Sequence, residues 1–409
     1  MPLEPLTLEP LLSEDSQEYV WTLNFGPQHP ATHTTLRIIL KLDGERVVDA
    51  IPDIGFLHSG FEKIGEHLDY NQYVAVTDRM NYISPLANNI AWHHAVETLI
   101  GLEIPPRCQY IRTILAELAR ISDHLLCNGA VALDVGALTT FLYAFHQRER
   151  LYDIFETVCG ARFTTSYTRV GGLMYDVTPD FIDKVRDFCR TFPKTHADIS
   201  RLLDRNRIFV ERTKGIGVLT KEQALQGSAT GPIARASGVT RDLRKDHPYL
   251  AYPDLQNSYK ICCAGGGDCY SRYLVRMSEM KESLNIVEAA LENLPTGPVN
   301  VEMEDRVILP NKDQVWTTIE GLIAHFEVVM SNRGFETPNE ECYAATESPN
   351  GELGFYLVGD GSQVAYRARC RPPSFIHFAL FPDLIRGHLL SDVVAVLGSL
   401  SIIAAELDR

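Results

Sequence analysis

The sequence predicts an α+β fold that is predominantly helical: a small β subdomain, then a helical bundle, then a C-terminal hairpin-and-helix region. Three observations carry this. Leu36 to Leu42 is apolar and branched, Asp43-Gly44 is a strong hairpin turn, and Val47-Val48 opens a return strand. Several long stretches then show helical spacing, with Ile111, Leu115, Leu118 and Leu125 three, four and seven apart. Near the end, residues 352–369 read as a second hairpin around Gly359-Asp360-Gly361.

Taken in order, residues 1–19 form a loose acidic arm and 20–60 the β subdomain. Inside the latter, residues 26–33 read Gly-Pro-Gln-His-Pro-Ala-Thr-His. Each proline fixes its own φ and pushes its predecessor toward extended geometry, so this is a rigid loop presenting His29 and His33. Residues 55–65 are glycine-spaced and carry His58, Glu62 and Lys63. The bundle spans 61–300. A helix over 88–100 stops at Gly101, a C′ glycine, and Pro105-Pro106 opens one over 107–128. Further helices cover 139–158, ending at Gly160, then 179–204 from Pro179, and 265–294 before Pro295. Residues 205–265 form an irregular, glycine-bearing insertion. The C-terminal region, 301–409, holds a helix over 313–328, the hairpin and a last helix over 390–400. Helices of this length joined by short loops suit a bundle.

Composition excludes several classes. A formal net charge of −15 lacks the basic footprint of a nucleic-acid binder and gives no attraction to an anionic bilayer. No run of about 18 apolar residues exists, so no transmembrane helix is expected. The start has neither a basic n-region nor an apolar h-region, which points to the cytoplasm. The 9 cysteines are scattered, with no Cys-x-x-Cys, as suits a reduced compartment. Cys262, Cys263 and Cys269 cluster near glycines 265–267 but lack the spacing of zinc or iron–sulfur ligands. There is neither a Gly-x-Gly-x-x-Gly fingerprint nor a phosphate-binding Gly-Lys-Ser/Thr loop.

Several further segments point one way. They are Gly55-Phe56-Leu57-His58-Ser59-Gly60, Asp78-Arg79-Met80-Asn81-Tyr82, Asp134-Val135-Gly136-Ala137-Leu138-Thr139 and Tyr167-Thr168-Arg169-Val170-Gly171-Gly172. Later come Thr346-Glu347-Ser348, Gly359-Asp360-Gly361 with Tyr366-Arg367, and Arg371-Pro372-Pro373-Ser374-Phe375. In number, order and spacing, from about residue 20 to the end, they resemble the 49-kDa subunit (the D-type subunit of bacteria) of respiratory complex I. That family is related to the [NiFe]-hydrogenase large subunit, which implies a hydrogenase-like fold. A nickel–iron centre needs four thiolates in two Cys-x-x-Cys pairs. Here Asn81 and Ser84 stand in the first pair's place and Ile403 and Glu406 in the second's, so that centre cannot form. The resemblance implies that the old metal cavity is a quinone pocket, closed by the C-terminal region.

It also implies residue roles. Tyr82 matches the family's quinone-binding tyrosine, His33 its headgroup histidine and Asp134 the acid that pairs with that histidine. Donors at the quinone oxygens would stabilise the charge that builds there on reduction. Read without the family, Tyr82 is equally a buried tyrosine with a satisfied hydroxyl, and Asp134 a helix N-cap. Arg79 matches an arginine close to a terminal [4Fe–4S] cluster held by a neighbouring subunit, and Thr164 stands where many members have a histidine that bonds it. Threonine cannot titrate near neutrality. Ser59 replaces an arginine common in the family, and the tail lacks its usual Asp-Pro. The implied substrate is quinone. No cofactor is expected on the chain itself, the cluster comes from its neighbour, and NAD binds elsewhere in the complex. Implied partners are the cluster-bearing subunit, the adjacent 30-kDa-type (C-type) peripheral subunit and the membrane subunit at the quinone channel. The location is peripheral, on the cytoplasmic side of the bacterial inner membrane, and the activity is proton-translocating NADH:quinone reduction in the assembled complex. Two other classes compete: a non-catalytic scaffold docking an iron–sulfur subunit, and a zinc hydrolase using His29 and His33 with His58 or the His93-His94 pair.

Overall fold

A computed structural model describes residues 20–32, 34–302, 307–330 and 335–409. The acidic arm 1–19 and His33 lie outside the described residues. Strands β1 (Val20–Phe25), β2 (Arg37–Asp43) and β3 (Arg46–Asp53) form an antiparallel sheet with β2 in the centre. Ile38, Leu40 and Leu42 of β2 point to one face and are fully buried. Their cover comes from the far end of the chain: Phe381, Ile385, Val393, Val396 and Leu400 share their core. The N-terminal sheet and the C-terminal helices thus share one core.

Helices follow. After the short α1 (Phe61–Ile64) and α2 (Val74–Met80) come α3 (Pro85–Ile100), α4 (Pro106–Asp134) and α5 (Leu138–Cys159). The proline starts and glycine stops act as expected; Gly101 and Gly160 both cap in the left-handed region at φ 68°. α4 runs past the predicted end at residue 128. Gly129 does not break it, because the glycine is where α5 approaches: a Cβ there would lie 3.2 Å from that of Ala144. Consequently Asp134 is the last residue of α4. The N-cap of α5 is Ala137, so the capping role for Asp134 is ruled out.

A two-residue ladder, β4 (Thr168–Arg169) with β5 (Gly172–Leu173), precedes α6 (Pro179–Leu203). The 205–265 segment is built of short helices, α7 (Arg207–Thr213), α8 (Lys221–Gln226), α9 (Gly231–Ala236) and α10 (Leu243–Asp246). α11 (Cys269–Glu292) starts at the N-cap Asp268, which accepts from the Ser271 amide at 2.7 Å. It packs lengthwise on α4 in the main core. The helix expected over 313–328 is two, α12 (Lys312–Thr317) and α13 (Ile319–Val329), divided at Thr318, whose hydroxyl caps α13 through the Gly321 amide at 3.1 Å.

The C-terminal hairpin is a three-stranded sheet. β7 (Gly351–Val358) pairs with β8 (Arg367–Arg371) as predicted, and also with β6 (Glu341–Ser348) through a tight turn at Pro349-Asn350. β6 escaped the sequence reading because its residues, Glu-Cys-Tyr-Ala-Ala-Thr-Glu-Ser, lack an apolar alternation; contact with α3 buries it instead. Helices α14 (Pro373–Ala379), α15 (Phe381–Ile385), α16 (Leu390–Leu400) and α17 (Ala404–Asp408) end the chain. No helix among the described residues is long and apolar enough to cross a membrane.

Candidate functional site

Tyr82 sits in the turn between α2 and α3. The Asn81 carboxamide oxygen accepts from the amides of Ile83 at 3.1 Å and Ser84 at 3.4 Å, so it closes the turn around the tyrosine. Tyr82 is half-buried, with its ring 6.2 Å from that of Phe163. Burial pushes its hydroxyl pKa up, which keeps it a neutral donor.

The loop bearing Phe163 and Thr164 is tied to the same helices. Asp78 accepts from Asn89 Nδ2 at 2.7 Å and from the Ser166 hydroxyl at 2.5 Å, and Asn89 also bonds the Thr165 carbonyl at 3.0 Å. This buried knot leaves its sequence neighbours Arg79 and Thr164 exposed. Arg79 donates to the Ala75 carbonyl of its own helix.

Asp134 ends α4 against α16. Gly398 makes the approach possible, since a Cβ there would come within 3.3 Å of an Asp134 carboxyl oxygen. Although the residue reaches solvent, this crowding desolvates its carboxyl and pushes the pKa up to about 6. Asp123 lies three turns earlier on the same face of α4, by the helical repeat. Between them Cys127 meets the Gly398 carbonyl of α16 at 3.7 Å.

Residues 26–32 form a tight loop. A Cβ on Gly26 would overlap the Leu36 carbonyl oxygen at 2.1 Å, so only glycine fits. Residues Pro30–Thr32 form a 3₁₀ turn packed on α16. His29 belongs to the loop itself: its Nδ1 accepts from the Ala31 amide at 3.2 Å and its ring lies 4.5 Å from that of Phe25.

The positions that would be metal ligands in a nickel–iron centre are interior. Asn81, Ser84, Ile403 and Glu406 are all buried. Ser374 fastens the second pair: its hydroxyl accepts from the Ile403 amide at 3.2 Å and its amide donates to Glu406 at 3.3 Å. Without its Asp-Pro the tail is still anchored. Asp408 accepts from the amides of Gly55 at 3.0 Å and Leu57 at 2.7 Å, and Arg409 lies over the Phe375 ring.

None of these four buried positions carries a thiol: Asn81, Ser84 and Glu406 are polar and Ile403 is aliphatic. A sequence model described as respiratory-chain NADH dehydrogenase, 49 Kd subunit, matches residues 134–409. The chain belongs to that family. It is 49% identical over 387 residues to the D-type subunit of the NADH-quinone oxidoreductase of Methylacidiphilum infernorum, covering 95% of this chain and 91% of that one. It is 45% identical over 390 residues to the corresponding subunit of Geotalea uraniireducens, covering 95% and 99%. Against a D-type subunit of the Opitutus terrae enzyme the identity is 49% over 388 residues, covering 95% and 90%. The chain is therefore a complex I subunit of the 49-kDa type, and the predominantly helical α+β fold is that expected of it.

Among the described residues no group of three His, Cys, Asp or Glu side chains is placed to hold a metal ion, and His33, which the zinc-hydrolase reading needs, lies outside them. His58 Nδ1 bonds the Asp408 carbonyl at 2.8 Å, His93 bonds the Thr168 hydroxyl at 2.8 Å inside the bundle, and the His94 ring faces Tyr249. Each of the three thus has a different neighbour. Cys262, Cys263 and Cys269 are free thiols, and Cys269 is turned into the core beside Arg272. The sequence reading missed Asp123. Its signal was a carboxylate among Leu118, Ile121 and Leu125, at a core-facing position of the helix.

Proposed function

We propose that this chain carries the quinone-headgroup site of complex I, with Tyr82, Asp134 and His33 as its polar groups. What chiefly supports the reading is Tyr82, half-buried on a turn whose flanking Asn81 and Ser84 replace metal thiolates. Reduction to quinol takes two electrons and two protons. Negative charge builds on the carbonyl oxygens, and a preorganised donor in a poorly hydrated site stabilises it. The Tyr82 hydroxyl is such a donor at one oxygen. His33 serves the other, as donor or proton source. Its neighbours Pro30–Thr32 pack on α16, the helix that also flanks Asp134. A carboxylate beside a histidine orients the ring and stabilises the imidazolium. Asp134, with its pKa near 6, titrates in the right range for that task.

Electrons reach the site from a [4Fe–4S] cluster of the neighbouring subunit, docked over the surface where Arg79 and Thr164 are exposed together. A cation there raises the potential of an anionic cluster. The 30-kDa-type subunit and a membrane subunit complete the assembly, and the latter admits quinone from the bilayer. The subunit is peripheral, on the cytoplasmic face of the inner membrane, and its chemistry is coupled to proton translocation by the whole complex.

Tyr82→Phe is the test. Removing one preorganised donor typically costs about a hundredfold or more in turnover. Quinone reduction by the assembled complex should fall by that order while assembly and cluster content stay normal. Normal assembly with unchanged turnover overturns the assignment.

A further inference from the structure

Helix α3 meets the segment 165–171 with three buried polar side chains on one face. Asn89, His93 and Glu97 are four residues apart, so the helical repeat sets them on successive turns. They are 0%, 0% and 4% exposed. The Asn89 carboxamide donates to the Thr165 carbonyl at 3.0 Å, His93 Nδ1 lies 2.8 Å from the Thr168 hydroxyl, and Glu97 Oε1 accepts from the Gly171 amide at 2.8 Å. Three rungs thus tie three successive points of the segment to a single helix.

The far rung is anchored in the bundle. Glu97 pairs with Arg112 at 2.8 Å, and Arg112 donates to the Arg169 and Gly172 carbonyls at 2.7 and 3.0 Å. The near rung stands beside the candidate site. Asn89 Oδ1 accepts from the Thr77 hydroxyl at 2.7 Å, while Nδ2 donates both to Asp78 at 2.7 Å and to Thr165, so all the polar capacity of the side chain toward these elements is used. The other Asp78 oxygen accepts from the Ser166 hydroxyl at 2.5 Å. One carboxamide and one carboxylate therefore join α2, α3 and the Thr165–Ser166 backbone.

Two residues before Thr165 comes Phe163, 45% exposed, with its ring 6.2 Å from that of Tyr82. Tyr82 stands on the turn that joins α2 to α3. The knot thus fixes both sides of this ring contact: the turn through α2 and α3, and the Phe163 loop through Asn89 and Ser166. A hydrogen-bond donor stabilises developing charge best when it is aimed before the reaction begins, and a small misplacement is costly.

We propose that Asn89 and Ser166, joined through Asp78, are positioning residues of the quinone site: they hold Phe163 against the Tyr82 ring and so keep the Tyr82 hydroxyl aimed. The aiming rests on the quinone-site reading above; the tie itself does not.

The test uses the assembled complex carrying Ser166→Ala, which removes one hydroxyl at a partly buried position and leaves Asn89 in place. The Tyr167 amide, bonded to the Thr165 carbonyl at 2.7 Å, reports on the tie by hydrogen exchange. Exchange over 165–168 should speed up about tenfold or more, the factor that loss of one hydrogen bond to a charged group corresponds to. Exchange in α3 should not change, and Ser166→Thr, which keeps the hydroxyl, should behave as the native chain. Quinone kcat/KM should fall about threefold to thirtyfold in Ser166→Ala, less than in Tyr82→Phe, and recover in Ser166→Thr. Added to Tyr82→Phe, Ser166→Ala should cost nothing further, since no Tyr82 hydroxyl is left to aim. Phe163→Ala, at an exposed position, should give the same kinetic loss with 165–168 still protected. Unchanged exchange in Ser166→Ala overturns the tie. Faster exchange with unchanged kcat/KM, a loss that adds in full to that of Tyr82→Phe, or unchanged kcat/KM in Phe163→Ala overturns the positioning role. Normal turnover in Tyr82→Phe alone overturns the quinone-site reading, while exchange still decides the tie.

Discussion

Glu117 and Asp123 lie on the same helix, α4, both fully buried, in opposite electrostatic settings. Glu117 stands among Arg120 at 3.2 Å, Arg244 at 3.2 Å and the Tyr252 hydroxyl. Burial pushes its pKa up, but the two guanidiniums push harder and hold it below the usual range. The network continues to Asp242 at 2.7 Å from Arg244, and through Arg235 to Glu279 and Glu347, each at 2.7 Å. At its edge His124 bonds Glu279 at 2.9 Å, and burial pushes the histidine down to about 4. One helical turn beyond Arg120, Asp123 has no cation within ion-pair distance among the described residues; Arg276 and Arg148 pull its pKa down from further off, and burial wins. Between these two acids, then, the difference is the cations within reach, not depth, which is the same for both.

The harshest way to probe the first region is Arg235→Met. It strands Glu279 and Glu347 as buried anions, which costs about 3–5 kcal/mol. The subunit should fail to accumulate in the complex, as read by immunoblotting of membranes. The contrast between the two acids is probed by one chemical change made twice. Glu117→Gln removes the acceptor of charge-assisted bonds and should destabilise by about 2 kcal/mol. Asp123→Asn removes an unpaired buried acid and should be neutral or stabilising. Denaturant-induced release of the subunit from the complex measures both, and equal losses would erase the distinction.

The pH dependence should then split by sign. A depressed pKa such as that of Glu117 adds stability above its unfolded value, near 4.5, which is lost as pH falls through the folded value. The raised pKa of Asp123 adds stability while the acid is protonated, and this is lost as pH rises from about 3.8 to about 6. Glu117→Gln should therefore flatten the acid limb and Asp123→Asn the slope above it. The smallest effect concerns Thr164, which cannot titrate. If the neighbouring subunit's cluster docks beside Thr164 as proposed, its midpoint potential should not change between about pH 6 and 8, where a histidine would titrate. Redox titration followed by EPR should show no slope, whereas Thr164→His should introduce up to about 60 mV per pH unit. A slope in the native complex would sink the assignment.

Much of the fold was legible because its signals are local. Proline at the starts of α3, α4 and α6, and glycine after α3 and α5, act through the backbone of one turn. Tyr82, Asp134, Arg79 and Thr164 could be singled out because each stands inside a short motif. Ser84 and Glu406 were visible only as missing cysteines. The strand β6 and the length of α4 were not legible, since contact with α3 makes the one and the approach of α5 tolerates Gly129 in the other.

The residues in order were thus enough for the class of fold and for the family to which the chain belongs. Which carboxylates are paired and which are not was settled by tertiary packing. Charge state depends on what lies within a few ångströms, and the groups facing Asp123 come from the start of α3 and from α5, α11 and α17, far apart along the chain.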